Sequence, residues 1–147
     1  MREMTMGDRT GDRLAFLRWV CDEAPLDDAT PRSRRGDREG WSVRCYAVNG
    51  STCTVWVSPR HLQVLLASMF VQGSGDGWRT LAADVCWPDF DVWRDHTQDR
   101  VGRMLRICKK AGLVVFAREG SASKRWVLTD AGAALAGRLL DQWLKRR

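Results

Sequence analysis

The chain has 147 residues, of which 44% are hydrophobic and 29% are charged. This balance supplies enough apolar side chains for one domain with a core and excludes wholesale disorder. No apolar run reaches the roughly 18–20 residues that cross a bilayer, and residues 1–13 lack the apolar centre of a signal peptide. The sequence therefore predicts a cytoplasmic protein without a membrane partner.

The net charge of +6 is distributed unevenly along the chain. Residues 1–93 carry 11 Lys and Arg against 13 Asp and Glu, whereas residues 94–147 carry 13 against 5. A basic block of this size is the electrostatic signature of a polyanion binder. Basic residues are also common on any solvated surface, so charge alone does not decide between these two interpretations.

The first 40 residues predict a helix followed by a loop. The spacing of Leu14, Leu17 and Val20 gives one apolar helical face from about residue 12 to residue 23, and Pro25 sets its end. Residues 25–40 are rich in charge, proline and glycine without periodicity, which predicts a mobile loop. Its Arg-Ser-Arg-Arg run is interpreted as a solvated linker, with a nucleic-acid-binding arm as the alternative.

A β-hairpin is predicted next, because the strand-like segments WSVRCYAV and STCTVWVS flank Asn49-Gly50. Asn-Gly is typical of two-residue hairpin turns, since both residues tolerate positive φ. That turn would place Cys45 and Cys53 on opposite faces, which argues against a disulfide between them. Both faces would be largely apolar, so the hairpin should be buried on both sides or lie in a subunit interface.

Two helices are predicted in the middle of the chain. Ser58-Pro59 opens the first, with serine as N-cap and proline at the first helical position, and a short helix follows at about 81–86. The connection WPDFDVWRDH, residues 87–96, is rich in aromatic residues. We expect these to pack in the core; a ligand pocket or a base-stacking surface is the alternative.

No pattern of reactive residues indicates an enzyme or a cofactor site. The five cysteines show neither a CxxC pair nor the Cys/His spacing of a zinc site, so we expect buried free thiols, with a redox sensor as the alternative. A P-loop, GxSxG and HExxH are all missing from the sequence. Asp84, Asp89 and Asp91 would hold a divalent ion, as in a nuclease, only on a fixed scaffold. His61, in the first turn of a helix, is interpreted as a surface residue.

The stretch TQDRVGRMLRICKKAGLVVFAREGSASKRWVLT, residues 97–129, combines a helix with a hairpin. Its apolar stripe, Val101, Met104, Leu105 and Cys108, predicts an amphipathic helix with a basic outer face. Gly112 is placed to stop that helix, and two strands surround a small polar tip. Thr129-Asp130 then caps a last helix that extends to about residue 145.

This stretch resembles the recognition helix, wing and following helix of winged helix-turn-helix regulators, the MarR and PadR types in particular. The matching residues are Val101, Leu105, Cys108, the segment Ala111-Gly112-Leu113-Val114 and the segment Leu128-Thr129-Asp130-Ala131-Gly132. Residues 80–85 resemble the first helix of the helix-turn-helix pair. The resemblance covers 59–135 in outline, and its specific part is 97–135.

The resemblance implies an α+β fold, a winged helix-turn-helix at 58–147 with an N-terminal helix, loop and β-hairpin appended at 1–57. Helix 97–111 would enter the major groove of double-stranded DNA, and wing 113–129 would follow the backbone or minor groove. The protein would then be a DNA-binding transcriptional regulator, and the family habit of binding paired half-sites suggests a homodimer. The alternative is a winged helix that contacts proteins and not DNA. The operator and any small-molecule effector are not indicated.

Candidate DNA-binding residues follow from the chemistry of the grooves and phosphates. Residues near the N-terminus of the recognition helix reach deepest, and arginine pairs with guanine edges, so the candidates for base readout are Thr97, Gln98, Arg100 and Arg103. The candidates for phosphate or wing contacts are Arg106, Lys109, Lys110, Arg118, Lys124 and Arg125. Asp99 places an acid on the same side, and Gly102 would permit a close approach of the backbone.

Overall fold

The computed structural model describes residues 10–35, 38–72, 77–86, 97–118 and 124–146. These residues form an α+β fold of five helices and three two-stranded antiparallel ribbons. The helices are α1 (Thr10–Asp22), α2 (Pro59–Gln72), α3 (Gly77–Cys86), α4 (Thr97–Lys110) and α5 (Asp130–Lys145). The strands are β1 (Arg34–Arg35), β2 (Arg38–Glu39), β3 (Trp41–Tyr46), β4 (Thr52–Val57), β5 (Val114–Arg118) and β6 (Lys124–Leu128).

Helix α2 lies at the centre of the core. Every residue from 62 to 69 is buried, because α1, α3 and α5 all pack around this helix. Phe16 of α1 and Trp143 of α5 meet across the same core, with ring centroids 5.6 Å apart. The N-terminal helix thus shares one core with the rest of the described chain.

The segment after α1 is tied to two helices. The side-chain oxygen of Gln63 accepts hydrogen bonds from the Asp27 amide at 2.8 Å and the Thr30 hydroxyl at 3.1 Å, and its nitrogen donates to the Pro25 carbonyl at 3.2 Å. The Asp27 carboxylate also accepts two bonds of 2.9 Å from Arg138 of α5. Residues 25–30, within the predicted mobile loop, are therefore held by the buried amide of α2 and by α5.

The β3–β4 hairpin has a different register from the predicted one. Cys45 lies opposite Cys53, and the amide of Ala47 donates to the Ser51 carbonyl at 2.8 Å across a three-residue loop. Gly50 closes that loop with φ 86, and the Asn49 side chain accepts a 3.0 Å bond from the Ser51 amide. The predicted two-residue turn is wrong, because Gly50 supplies the left-handed last position of a longer loop.

A shift of one residue in a ribbon moves its side chains to the other face. One face of the hairpin is apolar and packs inward: Trp41, Val43, Cys45, Cys53, Val55 and Val57. The other is mostly polar and faces outward: Ser42, Arg44, Tyr46, Thr52, Thr54 and Trp56. The predicted hairpin with two apolar faces, and cysteines on opposite sides, is therefore wrong.

The joint between α4, β5 and α5 explains the Leu-Thr-x-x-Gly pattern. Gly112 ends α4 with φ 79, as predicted. The Thr129 hydroxyl accepts a bond from the Gly132 amide at 3.1 Å and donates to the Gly112 carbonyl at 2.6 Å. A Cβ at Gly132 would lie 2.1 Å from the Leu113 carbonyl oxygen. Threonine caps α5, and glycine lets that helix approach the backbone of Leu113, the residue before β5.

Candidate nucleic-acid interface

Helix α4 presents opposite faces to the core and to solvent. Val101, Met104, Leu105 and Cys108 are each at most 1% exposed, which confirms the predicted apolar stripe. Arg106, Lys109 and Lys110 are exposed in the last turns of the helix. Residues three and four apart share a helix face, so these three cations form one basic surface. We call Arg106, Lys109 and Lys110 the α4 basic triad.

Arg100, predicted to read bases, points into the protein. It is 4% exposed, and its Nη2 donates to the Trp56 carbonyl at 2.5 Å. Burial lowers the pKa of its guanidinium to about 10, because removal from water disfavours the charged form. This arginine ties α4 to β4, and its guanidinium does not lie on the basic surface.

Asp99 and Arg103 lie beside the hairpin. The Asp99 carboxylate accepts a 2.7 Å hydrogen bond from the Tyr46 amide of β3, and its other oxygen lies 3.7 Å from Arg103 Nε. About a third of the Arg103 side chain is exposed. The acid on the predicted DNA side therefore anchors β3, and the hairpin covers one flank of the first half of α4.

Of the other predicted DNA-binding residues in α4 and the β5–β6 ribbon, the structure describes the side chain of Arg125 and only the backbone of the rest. The β5–β6 ribbon pairs Arg118 with Lys124 at its far end, and Arg125 is half-buried opposite Ala117. Thr97 and Gln98 begin α4. The side chains of Thr97, Gln98, Arg118 and Lys124 lie outside the described residues. The structure thus brings the α4 basic triad and the ribbon together in consecutive elements, joined at Gly112.

Gly102 has no packing role within the described chain. A Cβ at this position would meet no atom within 4 Å. Because Gly102 is four residues before Arg106, it lies on the same side of α4 as the basic triad. A glycine in a helix interior costs about 1 kcal/mol relative to alanine. The open space beside it leaves room for a partner to approach the helix backbone.

The β5–β6 ribbon exposes large apolar side chains on both of its faces, which its sequence pattern does not predict. Phe116 and Trp126 stack across β5 and β6 with ring centroids 5.0 Å apart, and Phe116 is still 47% exposed. Val115, on the other face, is 40% exposed. Strand alternation predicts which residues share a face, but it does not show how far the ribbon extends from the core.

His61 is part of a helix cap. Its Nδ1 accepts a hydrogen bond from the Ser58 amide at 3.0 Å, and the Ser58 hydroxyl accepts one from the His61 amide at 3.2 Å. This reciprocal pair is a capping box in which histidine replaces the usual Glu or Gln. Burial, and then the nearby charge of Arg100, lower the pKa of His61 to about 4. His61 is half-buried at the surface, with its ring turned toward its own cap.

Metal-ligating side chains do not gather in the described parts of the chain. There, no group of three or more His, Cys, Asp and Glu is arranged to hold a metal ion. Asp84 is exposed on α3, whereas Asp89 and Asp91 of the considered nuclease cluster lie outside the described residues. The aromatic connection 87–96 lies outside them too.

No helix within the described ranges is both long and apolar enough to cross a membrane. We found no match to the chain among protein-family models, curated protein sequences or solved structures.

Proposed function

We propose that the protein is a regulator that binds duplex DNA through α4 and the β5–β6 ribbon, with these elements acting as recognition helix and wing. The observation that carries the proposal is the α4 basic triad, exposed on one face of a helix whose opposite face is buried. A rigid amphipathic helix with three cations on its outer face suits a row of phosphates.

The order of elements supports this assignment. Helices α2, α3 and α4 followed by β5–β6 correspond in chain order to the three helices and wing of a winged helix-turn-helix. The most basic part of the sequence, residues 94–147, contains both α4 and the ribbon. The capped joint at Gly112, Thr129 and Gly132 belongs to the same resemblance.

The β3–β4 hairpin constrains how DNA would be bound. Because the hairpin covers one flank of the first half of α4, the phosphate contacts come from the α4 basic triad, Arg118, Lys124 and Arg125. Base readout by Thr97, Gln98 and Arg103 stays a prediction. Arg100 is not proposed to contact DNA, because its guanidinium is hydrogen-bonded to the Trp56 carbonyl. Gly102 provides the open position at which α4 approaches the DNA.

The test is binding to random duplex DNA over a salt series. Six phosphate contacts predict that log K falls against log salt with a slope of roughly −5. Arg106→Ala/Lys110→Ala should make the slope less steep by about 2, since each lost contact contributes about 0.9. The matched control, Arg18→Ala/Lys145→Ala, removes two exposed charges from α1 and α5 and should leave the slope unchanged. Weak binding at low salt that the first variant does not alter would contradict the proposal.

The alternative is a protein-interaction module, and the hairpin tip favours it. Val48 is fully exposed at the loop, and Tyr46 beside it is 49% exposed. Capture of a protein partner that is lost in Tyr46→Ser/Val48→Ser, together with no salt-dependent DNA binding, would establish this alternative.

Homodimerisation is part of the proposal, although the hairpin predicted as a possible subunit interface and the apolar side of the last helix are both used within the chain. Trp143 of the last helix is 2% exposed, and the hairpin has one apolar face, which packs inward. A dimer would therefore need another surface, such as the exposed apolar side chains of the ribbon. A monomeric mass by light scattering at micromolar concentration would contradict it.

A further inference from the structure

The register of the β3–β4 hairpin brings two cysteines together. Cys45 and Cys53 are direct cross-strand partners on the inward face. Directly opposed residues in an antiparallel pair have Cα atoms about 4.5–5.5 Å apart. Disulfides span Cα separations of roughly 4.4–6.8 Å. The register thus predicts a Cα separation between the two cysteines that lies within the range disulfides span.

The two thiols differ in their access to solvent. Cys45 is fully buried, whereas Cys53 is partly exposed, and both are free thiols in this structure. A small oxidant can therefore reach Cys53 first, and Cys45 is shielded from every reagent except its neighbour. Because Cys45 lies opposite the residue that reacts first, an oxidised Cys53 should form an internal disulfide with Cys45.

Charged groups of α4 face the buried thiol. Burial is the largest effect and, together with Asp99, raises the pKa of Cys45 to about 11. Arg103 and Arg100 act in the opposite direction, because their positive charges favour the thiolate. The buried thiol is thus protonated at rest, and the two guanidinium groups offset only part of the effect of burial.

We propose that Cys45 and Cys53 form a reversible cross-strand disulfide, with a low-molecular-weight disulfide such as oxidised glutathione as the oxidant. The Cys53 thiolate attacks one glutathione sulfur, which breaks the glutathione S–S bond and releases one glutathione thiolate. The Cys45 thiolate then attacks Cys53 Sγ, which forms the protein disulfide and releases the second glutathione. The cysteines lose two electrons to glutathione, and their two protons end on the two glutathione thiols.

The Cys45–Cys53 pair lies in the hairpin that is hydrogen-bonded to α4, the proposed DNA-binding helix. Tyr46, next to Cys45, donates its amide to Asp99 of α4, and Trp56 of the paired strand accepts from Arg100. A disulfide between these strands would fix the ribbon that covers the flank of α4. The site itself does not depend on DNA binding, so it can be tested separately.

The sequence permits a direct assay on the wild-type chain. Trypsin cleaves after Arg44 and Arg60, so both cysteines fall in the single peptide 45–60. The other three cysteines fall in separate peptides, 19–32, 80–94 and 107–109. An internal Cys45–Cys53 disulfide therefore appears as peptide 45–60 lighter by about 2 Da, the mass of two hydrogens, with no cross-linked partner.

The folded protein is equilibrated with mixtures of reduced and oxidised glutathione, then denatured in the presence of excess alkylating reagent, so that buried free thiols are also alkylated, and digested. We expect the lighter, unalkylated peptide 45–60 to accumulate as the oxidised fraction rises and to disappear after dithiothreitol. Cys53→Ser, at a half-buried position, should abolish it, whereas Cys21→Ser should not. A peptide 45–60 that stays fully alkylated, or that is found only linked to another peptide, would overturn the proposal. Neither outcome bears on DNA binding, which the salt series measures.

Discussion

Arg100 illustrates how burial determines the role of a charged side chain. It has the residue type and helix position expected of a base-reading arginine, yet it is 4% exposed and donates to the Trp56 carbonyl. A buried cation is tolerated only when hydrogen bonds replace the water it has lost. Its place in the protein is therefore structural, at the contact between α4 and β4.

Replacing Arg100 should destabilise the fold. Arg100→Ala removes the bond to the Trp56 carbonyl and the packed side-chain stem, so we expect a loss on the order of 2–3 kcal/mol in the free energy of unfolding. Urea denaturation measures it. Arg106→Ala, at an exposed position of the same helix, should change stability by less than about 0.5 kcal/mol. Equal effects of the two substitutions would contradict the structural role of Arg100.

His61 should make stability depend on pH. Its pKa is lowered from 6.5 to about 4 in the folded chain, so the unfolded chain binds the proton first as the pH falls. The stabilising contribution is complete above pH 6.5 and is lost between pH 6.5 and 4, at up to about 1.4 kcal/mol per pH unit. His61→Gln keeps a side-chain acceptor for the cap and should flatten this profile in denaturation series from pH 7 to 4. A slope that survives the substitution would assign it to another group.

At the scale of elements, two glycines in similar helical settings should respond oppositely to alanine. A Cβ at Gly132 would lie 2.1 Å from the Leu113 carbonyl oxygen, whereas one at Gly102 would meet nothing within 4 Å. Gly132→Ala should therefore cost about 3 kcal/mol by forcing α5 away from the Leu113 backbone. Gly102→Ala should add about 1 kcal/mol of stability. Thermal unfolding of both variants measures the contrast.

Gly102→Ala also separates stability from binding. If α4 approaches DNA closely at this position, as proposed, the added methyl group weakens binding to random duplex although the fold becomes more stable. The affinity is measured beside that of the wild-type protein at one salt concentration. A variant that is more stable and binds DNA unchanged would show that Gly102 is not at the interface.

At the scale of the whole molecule, the N-terminal third and the proposed DNA-binding part share one core. Phe16, Leu17 and Val20 of α1 are fully buried, and Val57 of the hairpin is buried in the same cluster. Loss of one large buried side chain costs about 2–5 kcal/mol, against a typical total stability of about 5–15 kcal/mol. The fragment 58–147 should therefore fail to fold alone, although the sequence pattern of its helices and β5–β6 ribbon by itself predicts a complete domain. Cooperative thermal unfolding of that fragment, followed by near-ultraviolet circular dichroism, would contradict this prediction.

The sequence by itself determined the elements whose signals are local. The α4 stripe follows from helical periodicity, and its end from a glycine that adopts positive φ. The start of α5 follows from the Thr129 cap. These features depend on residues within one or two turns of each other, so they can be predicted without knowing what packs against them.

Only the tertiary structure decided the register of the β3–β4 hairpin and what covers α4. The register depends on whether Gly50 closes a loop of two or three residues, a difference of one position that reverses both faces of the ribbon. Arg100 and Trp56 are 44 positions apart, and Asp99 and Tyr46 are 53 apart. No local pattern encodes such pairings, because they arise when packing removes water from charged groups that the sequence alone would leave at the surface.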